Sequence, residues 1–308
     1  MLRQVAAGLK QNVRLRMTAP ILFDTRLLDL RRTRAAARIG AHDFLLARVA
    51  EDLIDRLALV NRAFPQALDL GAHHGLVGQR IAQLPRVETV TSLEPNAALL
   101  ASCAPPKVQA QLEALPFAEE SFDLVVSGLA LQWVNDLPGT LIQICRTLKP
   151  DGLFLGALLG GATLTELRQA WLIAETELTG GASPRVAPFA DVRDLGSLVQ
   201  RAGFALPVVD SDIVTVTYPD PLALMREIKA WGASNMLTDR RRVPVSRHLL
   251  LRAAQIYAER FALPNGRIPA TFEILTITAW RPHVDQPKPL KPGSATVSLK
   301  DVLKPSKP

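Results

Sequence analysis

Hydrophobic positions along this chain alternate between helical spacing and short continuous runs. Leu27, Leu28 and Leu30 fall in a helix that also carries Arg26, Arg31, Arg32, Arg34 and Arg38. Phe44, Leu46, Val49, Leu53 and Leu57 recur at helical spacing in a second. Ala67, Leu68 and Leu70 then end a buried strand, and Leu76, Val77, Ile81 and Leu84 lie on one face of the helix after it. Val87 to Leu93 and Phe122 to Ser127 are the next strands. Leu141, Ile144, Cys145 and Leu148, at offsets of 3, 4 and 7 residues, mark the following helix. Lys149-Pro150-Asp151-Gly152 reads as a turn, because Pro presets φ and Gly accepts positive φ. A strand over Leu153 to Leu159 follows.

This alternation is that of a parallel sheet with crossover helices. Ligands of such sheets bind beyond the carboxyl ends of the strands. Gly71, Glu94, Gln111 to Leu112 and Ser127 to Gly128 are therefore expected to converge on one crevice. Thr163 and Glu166 have capping-box spacing and open a helix whose Leu164, Leu167, Trp171 and Leu178 face the core. Leu195, Leu198 and Val199 mark another helix, ended by Gly203, before an alternating strand over Ile213 to Tyr218. Helices over Pro221 to Leu263 form an insertion before a last strand, Thr271 to Trp280, and serve as a candidate lid. The chain thus divides into a basic leader (1–22), one domain (23–284, core 60–160, insertion about 220–263) and a Pro- and Lys-rich tail (285–308) read as disordered.

Composition narrows the class. With 308 residues and 48% hydrophobic content the chain can build a real core, and no apolar run is long enough to span a membrane. Two cysteines, Cys103 and Cys145, provide no disulfide framework and no metal-ligand spacing, so a reducing compartment is the default. Part of the net charge of +7 lies in the leader, where Arg3, Lys10, Arg14 and Arg16 precede the first acid, Asp24. The leader is read as disordered, and the protein as cytoplasmic; if the leader is an organellar presequence, the destination is the mitochondrial matrix. The arginine run of the first helix lacks interleaved aromatics, which make up only 5% of the chain, so no nucleic-acid partner is expected. It is a solvated helix face, a contact for an acidic protein, or a lid over a ligand.

The chemistry centres on the turn from Ala67 to Gly75. Gly71 and Gly75 lie between a strand and a helix, where a missing Cβ lets the backbone bend sharply. Glu94 ends the next strand, 25 residues after Asp69, where an acid commonly accepts hydrogen bonds from ribose hydroxyls. A dinucleotide fingerprint needs a middle glycine, but Gly71 is followed by Ala72, His73 and His74, and no Lys or Arg lies nearby to meet a phosphate. S-adenosylmethionine carries no phosphate, and its sulfonium and amino groups suit Asp69. The reading is S-adenosylmethionine over a dinucleotide, with an ordinary strand-to-helix turn as the remaining alternative. The candidate cofactor-binding set is Asp69, Gly71, Ala72, Gly75, Glu94, Pro95, Gln111, Leu112 and Ser127. Of the five histidines only His283-Val284-Asp285 has His-x-acid spacing, and no metal site is expected; His73 and His74 take a loop-and-cap role.

Several strings extend beyond this turn. Leu131-Gln132-Trp133-Val134-Asn135-Asp136-Leu137-Pro138-Gly139, Leu148-Lys149-Pro150-Asp151-Gly152 and Gly160-Gly161-Ala162-Thr163-Leu164 are followed by Ala174-Glu175-Thr176-Glu177, Gly180-Gly181-Ala182-Ser183-Pro184 and Arg201-Ala202-Gly203-Phe204. The Ser234-Asn235 pair, Pro269-Ala270-Thr271-Phe272 and Gly293-Ser294-Ala295-Thr296-Val297-Ser298 complete the set. From Phe23 to Ser298 the chain resembles the family of the mitochondrial complex I assembly factor that acts as a protein-arginine hydroxylase. Phe23-Asp24-Thr25-Arg26 with Arg31, Arg32 and Arg34 is similar to its bacterial branch. A weaker likeness links the front half to malonyl-carrier-protein O-methyltransferases. The resemblance implies a Rossmann-like α/β fold, the doubly wound sheet of class I S-adenosylmethionine methyltransferases, with amino-terminal helices and the helical insertion. It implies a cofactor site on the residues named above and hydroxylation of an arginine in a peripheral-arm subunit of complex I. Methylation of a malonyl thioester or another small carboxylate, and a non-catalytic assembly role, are the alternatives. Three positions depart from the pattern: His73 replaces the middle glycine, Gln111 stands where relatives have Asp, and Ala162 stands where mitochondrial members have Asp.

Overall fold

A strand covered on both faces is apolar throughout, and the predicted apolar runs form the middle of one sheet. The computed structural model describes residues 21–287. Its strands are β1 (Phe64–Leu70), β2 (Val87–Leu93), β3 (Lys107–Val108), β4 (Phe122–Gly128), β5 (Leu148–Leu159), β6 (Ala205–Tyr218) and β7 (Ile268–Trp280), in the order β3-β2-β1-β4-β5-β7-β6. The first five run parallel, and β7 lies antiparallel between β5 and β6. Chain order reverses between β1 and β4, so the loops leaving these two strands diverge and open a crevice at their carboxyl ends.

Helices cover both faces. They are α1 (Thr25–Ala35), α2 (Phe44–Ala58), α3 (Leu76–Ile81), α4 (Ala97–Leu100), α5 (Leu137–Thr147), α6 (Thr165–Thr179), α7 (Val192–Arg201), α8 (Pro221–Ala230) and α9 (Arg247–Phe261). One core joins Leu53, Leu57, Val77, Leu167, Leu224 and Tyr257 from α2, α3, α6, α8 and α9 to one face of the sheet. The other joins Leu141 and Ile144 of α5 with Leu195 and Val199 of α7 to the opposite face. Among the described residues no helix is long and apolar enough to cross a membrane. The leader, apart from Ile21 and Leu22, and the tail beyond residue 287 lie outside the described residues.

Several expectations need correction, the smallest being that α1 ends before Arg38 and that β7 begins at Ile268 rather than Thr271. Lys149 to Gly152 does not precede β5 but bulges within it: Phe122 pairs with Leu148 and Leu124 next with Leu153, while Lys149 holds Asp123. β6 begins at Ala205, eight residues before Ile213; Pro207 and the acids Asp210 and Asp212 break the alternation there, as an edge strand permits. Thr163 and Glu166 form no capping box. Their side chains bind β7 instead, Thr163 at Glu273 and Glu166 at Thr271, and α6 starts after Leu164 at φ 54° without a side-chain cap. Leu178, near the end of α6, is 38% exposed rather than core-facing.

Candidate functional site

β1 delivers Asp69 to the base of the turn. Its Oδ2 accepts from Gly78 N at 2.8 Å, which tethers the first turn of α3, and its fully buried Oδ1 has no partner among the described residues. Burial pushes its carboxyl up to about 7, with Glu94 adding to the rise and the Gly78 N–H opposing it. Gly71 and Gly75 both take positive φ, 72° and 90°. Close approach at Gly71 serves packing, since a Cβ there would lie 2.2 Å from Ala130 Cβ.

His73, at the middle-glycine position, takes φ 51°. Its backbone N–H donates to Glu94 Oε2 at 3.0 Å, and its Nε2 lies 2.9 Å from Gly128 O and 3.2 Å from Leu129 O. Two carbonyls at one nitrogen fix the hydrogen there. Burial first, then the charge of Arg32, lowers this imidazole to about 3 and keeps it neutral. Glu94 is also fully buried: Oε1 accepts from Asn96 N at 3.0 Å, and the Arg32 guanidinium stands 3.6 Å away. Burial raises the Glu94 carboxyl, chiefly against the pull of Arg32, and burial lowers Arg32 in turn.

α1 closes over this carboxylate. Asp24 caps the helix at Leu27 N, Arg31 donates to Ser234 O and Asn235 O, and Asn96 Nδ2 reaches Asp29 and Thr33. Two cavities result, and Leu28, Arg32 and Trp133 line both. The first, about 220 Å³, is bounded by Glu94, Pro95, Gln111 and Leu112. The second, about 90 Å³, lies against His42, Asp43, His73, His74 and Gln132. His74 Nε2 is 3.0 Å from Asp43 Oδ2, and His42 Nδ1 is 2.8 Å from Glu227 Oε2 on α8.

Glu94, Pro95, Gln111 and Leu112 thus share one cavity wall, Gln111 at its exposed rim. Asp69, Gly71, Ala72 and Gly75 are buried in the turn behind it, and the Ser127 hydroxyl donates to Leu70 O, pinning β4 to β1. Sequence reasoning missed Asp43, Asn96 and Gln132. The arginine run did signal Arg32, which is buried rather than part of a solvated face. His283 and Asp285 are 3.5 Å apart outside the crevice, and no group of three or more metal-ligating side chains occurs among the described residues.

Comparison with known proteins extends this geometry. A family model described as a methyltransferase domain matches residues 68–156. The chain is 40% identical over 312 residues to arginine-hydroxylase NDUFAF5, mitochondrial, of Mus musculus, covering 98% of this chain and 90% of that protein. It is 42% identical over 270 residues to the Homo sapiens protein of the same name, covering 85% and 77%. A malonyl-[acyl-carrier protein] O-methyltransferase of Halorhodospira halophila is 38% identical over 254 residues, covering 80% and 84%. The crystal structure of a candidate methyltransferase from Bacillus halodurans aligns with a TM-score of 0.53 at 17% identity, covering 76% of this chain and 99% of that one, which is a likeness of fold.

Proposed function

The chain belongs to the NDUFAF5 arginine-hydroxylase family on the class I methyltransferase fold, and from that premise we propose that it binds S-adenosylmethionine in this crevice and hydroxylates an arginine of a complex I peripheral-arm subunit. The residues present fit the cofactor. An ionised carboxylate offers about four lone-pair sites, and Glu94 uses one on each oxygen for a backbone N–H, leaving acceptor capacity for ribose hydroxyls. Pro95 and Leu112 supply apolar walls for a purine, and the Gln111 amide oxygen at the rim can accept from an exocyclic amine. The unpaired Oδ1 of Asp69 leaves an unused acceptor behind the turn. Bound there, S-adenosylmethionine would supply an electrophilic methyl on sulfur, whereas the hydroxylation takes one oxygen atom from dioxygen and two electrons from a separate reductant, the other oxygen leaving as water. His73 and Trp133 line the second cavity.

The observation that carries the arginine reading is the charge of that second cavity. Its lining cation, Arg32, already faces Glu94, while Asp43 and, through His42, Glu227 supply negative charge. A carboxylate substrate wants an Arg or Lys free to fork onto it, so malonyl-thioester methylation, suggested by the Halorhodospira relative, is the second reading. Peptide mass analysis of complex I from cells with and without this protein tests the choice. The reading expects one peripheral-arm arginine to be lighter by one oxygen without the protein. An unchanged mass, with labelled methyl transferred to a malonyl thioester by purified protein, replaces it with the second.

A further inference from the structure

Four buried side-chain polar atoms among the described residues have no hydrogen-bond partner, and two of them, Gln132 Oε1 and His74 Nδ1, belong to residues lining the second cavity. Both are acceptors. Gln132 Nε2 donates to Leu129 O at 2.8 Å, which fixes the amide and leaves its oxygen unused. His74 Nε2 faces the Asp43 carboxylate at 3.0 Å, which places a hydrogen there, and in the neutral imidazole Nδ1 then keeps its lone pair. A buried acceptor left unpaired is costly, and a ligand that supplies its donor recovers that cost on binding. We propose that Gln132 and the Asp43–His74 pair are the specificity-determining partners of the substrate side chain, selecting a planar group that only donates. This rests on the arginine reading and deepens it.

Size and lining agree with a guanidinium. A space of about 90 Å³ takes the end of a side chain. Arg brings five N–H donors in one plane and no acceptor. Ile39, Leu45, Leu46 and Leu159 supply an apolar sleeve for its methylene stem, and Trp133 and Trp231 add aromatic wall. A urea group of the same shape would bring its own oxygen against acceptors and be rejected.

Calorimetric titration of the full chain with acetyl-arginine methylamide and with its citrulline counterpart tests the assignment. The arginine probe should bind at least tenfold more tightly than the citrulline probe. Gln132→Leu and His74→Phe should each weaken the arginine probe about tenfold at unchanged melting temperature, the loss expected for a hydrogen bond to a charged group. His74→Asn, whose amide oxygen can sit near the Nδ1 position, should recover most of it even if His74→Phe proves unstable. Equal affinity for the two probes, no binding of either, or wild-type affinity in both substituted proteins overturns the assignment. In cells, if the double variant modifies the complex I arginine as wild type does, the assignment fails and the arginine reading stands. If wild-type cells leave that arginine unmodified, both fail.

Discussion

Gly71 illustrates how a residue can be right for a reason other than the one its motif suggests. At φ 72° a Cβ costs about 1–2 kcal/mol, and here it would also overlap Ala130 Cβ at 2.2 Å. Gly71→Ala should therefore lower stability by about 3 kcal/mol or more in urea denaturation, overlap in a tight core adding to the φ cost. Adding Ala130→Gly should relieve the overlap and leave the φ cost of about 1–2 kcal/mol; no recovery in the double variant would count against the contact. Asp69, Gly71, Gly75 and Glu94 were legible because their setting is local: strand end, turn, strand end. Asp43, Asn96 and Gln132 were not, since each acquires its setting from chain far away in sequence, such as Asn96 from Asp29 and Thr33. Arg32 lay in between, one of four arginines on a helix whose orientation only packing decides.

Among the elements, α1 has the most direct bearing on the crevice. It touches both halves of the molecule, through Asn96 after β2 and through Ser234, Asn235 and Arg240 in the insertion. Asn96 also accepts from Leu99 N to cap α4, so one side chain fastens the cover to the floor. Asn96→Ala should raise amide hydrogen exchange in α1 at least fivefold while leaving β1 and β4 unchanged; equal protection in α1 would show that the insertion alone holds it. Element boundaries followed the same logic as the residues. β2 was read at its true ends, Val87 and Leu93, because apolar runs in a covered strand start and stop sharply. β6 was half lost because an edge strand tolerates Pro207 and solvent-facing acids. The mistaken turn before β5 had the right residues for a turn, and they do leave the ladder, but only as a bulge that resumes pairing at Leu153.

For the whole molecule, two buried groups of the turn oppose each other in pH. Asp69 is raised from 3.8 to about 7, so its contribution to stability is full below about 3.8 and is lost as pH rises through about 7. His73 is lowered from 6.5 to about 3, so its contribution is full above about 6.5 and is lost as pH falls through about 3. Their slopes cancel over the shared window, and wild-type stability should hide both. Asp69→Asn exposes the His73 slope: relative to wild type, the variant should lose ~1.4 kcal/mol per unit as pH falls from 6.5 to 4, the linkage of one proton. Parallel stability curves from urea denaturation would show that Asp69 ionises normally. The crevice lies where the sheet order reverses, with Glu94 in its wall, and the functional account stands on that carboxylate being the ribose acceptor of the cofactor. Calorimetric titration with S-adenosylmethionine, on wild type and on Glu94→Gln, is the most direct test. The account predicts one equivalent bound by wild type and at least tenfold weaker binding by the variant; no binding by wild type, or equal affinity in the two, contradicts it.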